Sequence, residues 1–168
     1  VLFEPLRLGS KTAPNRLVFA ALQTNFAVHN RFEKRHAAFY GARAAGGVGM
    51  IVLEGSVVHP SDWPYQYVIR GYDERVVDGY RLMANVVHRH DALVLAHLTH
   101  SGMQGSSHYS QRPLWAPSPV PEVNSREMPQ AMRAADIAAV IEGFQQSARY
   151  AVAGWLDGVE INAGQHSL

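Results

Sequence analysis

The feature that most constrains the fold is an alternation of short apolar runs with longer segments of helical periodicity. Nearly continuous apolar runs occupy residues 17–21, 48–53, 92–98 and 158–161. Such runs are typical of strands buried on both faces, as in a parallel sheet. Segments that place apolar side chains on one helical face lie between them, at residues 32–45, 73–90 and 135–153. The sequence therefore predicts successive β–α–β units.

Turn and cap residues divide these elements. Gly46-Gly47 and Gly154 are suited to end the first and third helices, and Asp73 is a candidate N-cap for the second. The opening LRLGSKTAPN predicts a hairpin that turns at Gly9-Ser10. Residues 101–134 are rich in Ser, Pro and Gln, and a connection of that length is usually functional or a lid.

Four strands and three helices suit either a small doubly wound sheet or half of a barrel. A dinucleotide-binding doubly wound sheet needs a glycine fingerprint after its first strand, whereas LQTNFAVHN follows here. A complete (β/α)8 barrel takes about 250 residues. We therefore predict an α/β chain forming the first half of a TIM barrel, with about four strands, three helices and an N-terminal capping hairpin. Residues 1–168 would be one half-domain, and Val1 in place of Met suggests an excerpt.

Composition excludes several classes of function. The net charge is +1 and no run of Lys or Arg occurs, so we expect no nucleic-acid partner. The absence of cysteine excludes disulfides and thiolate metal sites within this stretch. The start lacks the pattern of a signal peptide, and the longest apolar run is too short to span a bilayer. We expect a cytoplasmic protein without a membrane partner.

Chemistry in a barrel collects at the carboxyl ends of the strands. The candidate ends are residues 20–25, 54–56, 97–102 and 160–166, all enriched in small and hydrogen-bonding side chains. Small residues there let a flat ring lie against backbone groups. The pair His97 and His100 has the spacing of a metal site, but residues three apart on a strand face opposite ways, so we predict no metal.

Five stretches occur in an order that resembles the old yellow enzyme family of FMN-dependent oxidoreductases: LFEPLRLGSKTAPNRLVFAAL, GARAAGGVGMIVLEGSVV, HLTHSGMQ, PLWAPSPV and DGVEINAGQHSL. The branch with 2,4-dienoyl-CoA reductases and amine demethylases looks most similar. The resemblance implies a barrel that holds FMN at the strand ends, with NAD(P)H as electron donor and a small-molecule substrate. Long members of this branch also carry a [4Fe-4S] cluster and FAD in a C-terminal region, which extends the expected cofactors if such a region follows.

The resemblance also implies roles for single residues. Gln23 takes a position near the flavin carbonyl, and His97 stands where the family usually has a Gln that bonds the pyrimidine edge. Neutral imidazole offers one donor and one acceptor for this purpose. The implied cofactor-binding set is Ala20, Ala21, Leu22, Gln23, Gly55 and His97.

The implied catalytic set lies after the fourth strand. Asn162 and Gln165 replace the family's His-x-x-His or His-x-x-Asn pair, which donates hydrogen bonds to a substrate carbonyl oxygen. Ser167 stands where a proton-donating Tyr often lies, so His166 is the nearest titratable substitute. The resemblance thus implies catalytic roles for Asn162, Gln165 and His166.

Three alternatives remain open at this point. An amine demethylase of the same superfamily would use the same cofactor, and a non-catalytic flavin- or partner-binding relic would explain the missing His pair and Tyr. An aldolase would need a Lys or metal ligands at the strand ends, and neither Lys11 nor Lys34 lies there. Because barrels often grip phosphate after strands seven and eight, we expect these 168 residues alone to bind FMN weakly and to be inactive.

Two further expectations concern charged residues. Glu160 should point into the barrel and pair with a group from outside this half, because a buried carboxylate needs a partner. His59 and His88 show no partner pattern and are expected at the surface or in loops.

Overall fold

The computed structural model describes residues 1–164 and 167–168. Its strands are β1 (Leu6–Leu8), β2 (Lys11–Ala13), β3 (Val18–Phe19), β4 (Met50–Val57), β5 (Ile69–Arg70), β6 (Leu93–Thr99), β7 (Trp115–Ala116), β8 (Gln130–Ala131) and β9 (Gly158–Ile161). Its helices are α1 (Lys34–Ala45), α2 (Val76–His88), α3 (Ser107–Ser110) and α4 (Ala134–Ala153), with a 3₁₀ turn at Gly102–Gln104.

The central sheet runs in chain order, β3-β4-β6-β9, and all of its pairings are parallel. A doubly wound sheet would reverse its strand order at a switch point. The observed order instead matches the predicted half-barrel, with α1, α2 and α4 as the connections between neighbouring strands. Short β5 extends the carboxyl end of β4 by pairing with Ser56 and Val57.

The core lies between the sheet and the helices. Val94, Ala96 and Leu98 of β6 are fully buried, whereas the alternate residues of β6 lie on the opposite face and are less buried. From α2, Tyr80 and Met83 complete this core. The two faces of the sheet therefore differ, one packed on helices and one carrying the polar side chains of the barrel interior.

The predicted hairpin is confirmed. β1 and β2 pair antiparallel around Gly9-Ser10, and Lys11 Nζ lies 2.9 Å from Asp157 Oδ1, just before β9. Asp157 Oδ2 also accepts from the Val94 backbone N–H and contacts His88 Nε2 at 2.8 Å. The hairpin is thus tied to the amino end of the sheet, and His88 has the partner that the sequence did not predict.

Several boundaries differ from the predicted ones. β3 is shorter than residues 17–21, and β4 continues past residue 53 to Val57 with a bulge between Val52 and Gly55. Helix α2 begins after Arg75, and the Asp73 carboxylate accepts from the Arg75 backbone N–H outside the helix. Residues 101–134 form no open loop, because they contain α3 and the β7–β8 pair. Within the described residues, no helix is long and apolar enough to cross a membrane.

Candidate active site

A cleft of about 280 Å³ lies at the carboxyl ends of the parallel strands. Strands β4 and β6 supply its floor, Asn162 lines it just after β9, and the segment after β3 forms one wall. The lining residues are Ala21, Gln23, Gly55, Val57, Pro64, Tyr65, Val68, His97, Thr99, Ser101, Gln104, Asn162 and Ser167. This is the position at which barrel enzymes carry out their chemistry.

Strand register places the central residues of the cleft in a row. Gly55 is the partner of His97 across β4 and β6, and His97 is the partner of Glu160 across β6 and β9. Partners in adjacent parallel strands project to the same face. The next row toward the carboxyl end begins with Val57 beside Thr99. The sheet therefore presents two parallel rows of side chains to the cleft.

Gly55 leaves open space between two polar side chains. A Cβ at this position would lie 3.3 Å from Thr99 Cγ2, 3.7 Å from Gln23 Oε1 and 3.8 Å from His97 Cδ2. A larger side chain would fill the floor of the cleft. Glycine thus keeps Gln23 and His97 accessible on either side of one flat patch of backbone.

Gln23 lies in the wall of the cleft, on a segment that the buried carboxylate of Glu54 holds through the next residue, Thr24. The Gln23 Nε2 atom is buried and has no hydrogen-bond partner among the residues that the structure describes. The following residue, Thr24, donates its backbone N–H to Glu54 Oε2 at 2.9 Å and its hydroxyl to Glu54 Oε1 at 2.7 Å. Glu54 thereby fixes the segment that aims the Gln23 amide.

Glu54 is itself satisfied by helix α1. His36 Nε2 lies 2.6 Å from Glu54 Oε1, and both side chains are completely buried. The His36 ring accepts the Glu33 backbone N–H at Nδ1, so Nε2 is the ring nitrogen that faces Glu54. The bulge in β4 directs the Glu54 backbone N–H to the Tyr40 hydroxyl at 2.8 Å. Because its carboxylate and its backbone N–H both have partners, Glu54 can continue β4 beyond residue 53, where the apolar run ends.

His97 is paired within this half of the barrel. Its Nδ1 lies 2.7 Å from Glu160 Oε1, and its side chain is 17% exposed against 48% for Glu160. The expectation that Glu160 pairs with a group from outside this half is therefore wrong, because strand register brings it to His97. His100 faces another environment, since its Nε2 contacts the Ser61 hydroxyl at 2.9 Å.

Asn162 lies in the cleft with its amide already engaged. Its Nδ2 donates to the hydroxyls of Thr99 at 3.1 Å and Ser167 at 3.2 Å, and its Oδ1 accepts the Gly164 backbone N–H. A substrate atom would have to replace one of these hydroxyls. These three hydrogen bonds fix the orientation of the Asn162 amide. The hydroxyls of Thr99 and Ser167 lie beside the amide group that would contact a substrate.

Of the predicted cofactor residues, four line the cleft: Ala21, Gln23, Gly55 and His97. Ala20 and Leu22 are exposed and lie outside the lining, so their backbone contact with a flavin stays a prediction. Gln165 and His166 lie outside the described residues. Gln104 and Val68 were missed. Gln104 ends the quoted stretch HLTHSGMQ but lies beyond the candidate strand end 97–102, and Val68 lies in neither a strand end nor a quoted stretch.

A second polar network lies beside the cleft and was also missed. Ser61 Oγ lies 2.8 Å from His59 Nδ1 and 2.9 Å from His100 Nε2, while Asp62 Oδ2 accepts the Ser101 backbone N–H at 2.8 Å. Burial raises the pKa of Asp62 to about 7 and, together with the nearby His59, lowers the pKa of His100 to about 4. His59 stacks on Trp115, which ties residues 101–134 to this network.

The chain is similar over nearly its whole length to a known alkene reductase/demethylase and a known NADPH dehydrogenase. It is 30% identical to the multifunctional alkene reductase/demethylase OYE of Caballeronia cordobensis, covering 99% of this chain and 25% of that protein. It is also 30% identical to the NADPH dehydrogenase of Geobacillus thermodenitrificans, covering 100% of this chain and 49% of that protein. The chain thus spans about a quarter to a half of the length of these curated relatives.

A solved structure confirms the predicted fold class. The old yellow enzyme homologue from Zymomonas mobilis superposes with a TM-score of 0.90 at 26% identity, over 99% of this chain and 49% of that one. The sequence profile of the NADH:flavin oxidoreductase / NADH oxidase family matches residues 1–167. The chain therefore belongs to the NADH:flavin oxidoreductase / NADH oxidase family.

Proposed function

We propose that these residues form the N-terminal half of an FMN-binding barrel whose full-length protein is an NAD(P)H-linked oxidoreductase of the ene-reductase type. The observation that carries this proposal is the arrangement of Gln23, Gly55 and His97 around one open patch of the cleft floor. Family membership supports the cofactor. Bound FMN supplies hydride transfer from a nicotinamide donor to an acceptor.

The cleft fits one edge of a flavin in both shape and polarity. Gly55 offers flat backbone against which a ring can lie. The Gln23 amide borders this patch through its Oε1 atom, and its buried Nε2 atom has no partner among the described residues, so the amide has hydrogen-bonding capacity left for a ring edge. The ring nitrogen of His97 that faces away from Glu160 supplies a further polar contact. Ala21 adds a small side chain to the wall.

The residues after β9 suit the binding of a substrate's polar atom. Asn162 and Thr99 lie in the row above Gly55 and His97, at the mouth of the cleft. Asn162 holds its amide toward Thr99 and Ser167, so three hydrogen-bonding groups converge on one region. Such groups can anchor a carbonyl oxygen and exclude water as charge develops on it. Gln165 keeps its predicted role as a hydrogen-bond donor to the substrate's carbonyl oxygen, and His166 keeps its predicted role as the acid that donates a proton.

A demethylase is the second candidate function. The Caballeronia relative is named both alkene reductase and demethylase, so membership in this family does not separate the two activities. A non-catalytic relic would bind flavin and accept no electrons. The [4Fe-4S] cluster and FAD of the long family members stay predictions for a further region.

The full-length protein provides the test. We expect it to purify with FMN, and we expect NADH or NADPH to bleach the flavin absorbance in anaerobic stopped-flow. Recovery of that absorbance with an α,β-unsaturated ketone would support ene reduction, whereas bleaching by an N-methyl amine would favour the demethylase. No bleaching with any donor would contradict an enzymatic role and favour the relic.

The fit of the cleft is tested by filling it. Gly55→Val should weaken FMN binding roughly ten- to hundredfold, because overpacking a close-fitting site typically costs 1–3 kcal/mol. Gly158→Ala, in β9 of the same sheet, is the control, since its Cβ would make only ordinary contacts with Leu95 at 3.8 Å. Fluorescence titration of each apoprotein with FMN measures the affinities of the two variants. Equal FMN affinity in the two variants would remove Gly55 from the flavin site.

A further inference from the structure

The carboxylate of Glu160 has one contact that bears directly on the cleft. Its Oε1 lies 2.7 Å from His97 Nδ1, and the two residues are register partners in adjacent strands. A carboxylate accepts hydrogen bonds and donates none when ionised. The proton of a neutral His97 ring must then lie on Nδ1, and Nε2 carries a lone pair.

The other edge of the His97 ring faces the cleft. Cδ2, which is bonded to Nε2, is the His97 atom nearest to the space above Gly55. Among the described residues, Nε2 has no hydrogen-bond partner, so its lone pair is available to a ligand. Gln23 flanks the same space with its amide, whose Oε1 atom lies nearest to Gly55. Its Nε2 atom is buried and has no partner among the described residues.

We propose that Glu160 is a positioning residue that holds His97 in the Nδ1–H tautomer, so that Nε2 accepts a hydrogen bond from a ring N–H of the cofactor. An acceptor at His97 and the Gln23 amide, which carries both an acceptor and a donor, suit an edge on which N–H and C=O groups alternate, as they do in the pyrimidine ring of a flavin. This inference rests on the proposed function and adds a residue to the site. Without Glu160, imidazole is free to place its proton on Nε2 and present a donor instead.

The tautomer can be read without any cofactor. In full-length protein labelled with ¹⁵N-histidine, long-range ¹H–¹⁵N correlation spectra distinguish a protonated Nδ1 from a protonated Nε2, and His97→Gln identifies the signal. We expect Nδ1–H in the wild type and a shift toward Nε2–H in Glu160→Ala. A wild-type ring protonated on Nε2 alone would overturn the proposal.

The effect on the cofactor is tested by a double-mutant cycle with His97→Ala. Outer-shell partners that orient a metal-binding His are typically worth ten- to hundredfold in affinity, so Glu160→Ala should by analogy raise the FMN dissociation constant about tenfold. Without a ring at position 97 there is no tautomer to hold, so Glu160→Ala should have little effect in the His97→Ala background. A similar loss in both backgrounds, or none in either, would overturn the proposal. Full-length protein that binds no FMN would contradict the proposed function, while the tautomer measurement would still decide the role of Glu160.

Discussion

At the scale of single residues, Asp62 and His100 couple the stability of the cleft wall to pH in opposite directions. Burial raises the pKa of Asp62 from 3.8 to about 7, so between these values the folded chain holds a proton that the unfolded chain releases. Its contribution to stability therefore falls as pH rises from about 4 to 7. Burial lowers the pKa of His100 from 6.5 to about 4, so its contribution falls as pH drops through that window.

Asp62→Asn should separate these two effects. The amide cannot ionise, so the free energy of unfolding of the variant should rise relative to that of the wild type as pH increases from 4 to 7. Above pH 7 the difference between the two proteins should stay constant. Three pKa units correspond to a gain on the order of 4 kcal/mol between the two limits. Urea unfolding at several pH values measures it. Asp78→Asn is the control, because the Asp78 side chain is 88% exposed. A pH-independent difference for Asp62→Asn would contradict the burial argument.

At the scale of elements, Glu54 joins helix α1, strand β4 and the segment after β3. It contacts His36 from the helix and accepts hydrogen bonds from the backbone N–H and the hydroxyl of Thr24. Glu54→Gln must place an NH₂ group opposite one of these donors, whichever way the amide turns. A buried unsatisfied donor costs about 1–3 kcal/mol. We therefore expect reduced stability and, because Gln23 loses its support, weaker FMN binding.

Tyr40→Phe is a matched control for this network. It removes the acceptor of the Glu54 backbone N–H and leaves the contacts to Thr24 in place. Urea unfolding should show a loss of stability in both variants, and FMN titration at a temperature where both are folded should show weaker binding only in Glu54→Gln. Equal affinities would assign Glu54 to stability alone.

The same elements explain what the sequence could and could not predict. β9 has the predicted bounds, Gly158–Ile161, because its signal is local. β4 was predicted to end before Glu54, since a carboxylate interrupts an apolar run, but His36 and Thr24 satisfy that charge from distant parts of the chain. The partner of Glu160 is 63 residues away. It follows from strand register, which periodicity alone does not provide.

At the scale of the whole molecule, the described sheet is open at both sides. β3 and β9 each pair with one neighbour among the described residues, so each leaves a row of backbone donors and acceptors unpaired. Large apolar side chains near the β9 side are also exposed, including Ile161 at 60% and Ile141 at 53%. Ile137 and Ile141 follow the apolar helical spacing of residues 135–153, yet both are exposed, whereas Val140 and Ala151 are buried. The relatives that this chain matches are two to four times as long, and we expect further barrel strands to cover these surfaces in the full-length protein.

The 168-residue polypeptide expressed alone should therefore self-associate and bind FMN weakly. Exposed apolar strand edges promote association, and the loops that often grip phosphate in TIM barrels follow strands seven and eight. Light scattering after size-exclusion chromatography measures self-association of the polypeptide. FMN titrations of the polypeptide and of the full-length protein compare their affinities. Ile161→Lys should reduce self-association, whereas Val120→Lys, equally exposed but distant in sequence from both edge strands, should not. A monomeric polypeptide that holds FMN stoichiometrically would show that the first four barrel strands suffice for the flavin site, and the assignment of phosphate binding to the second half would then be wrong.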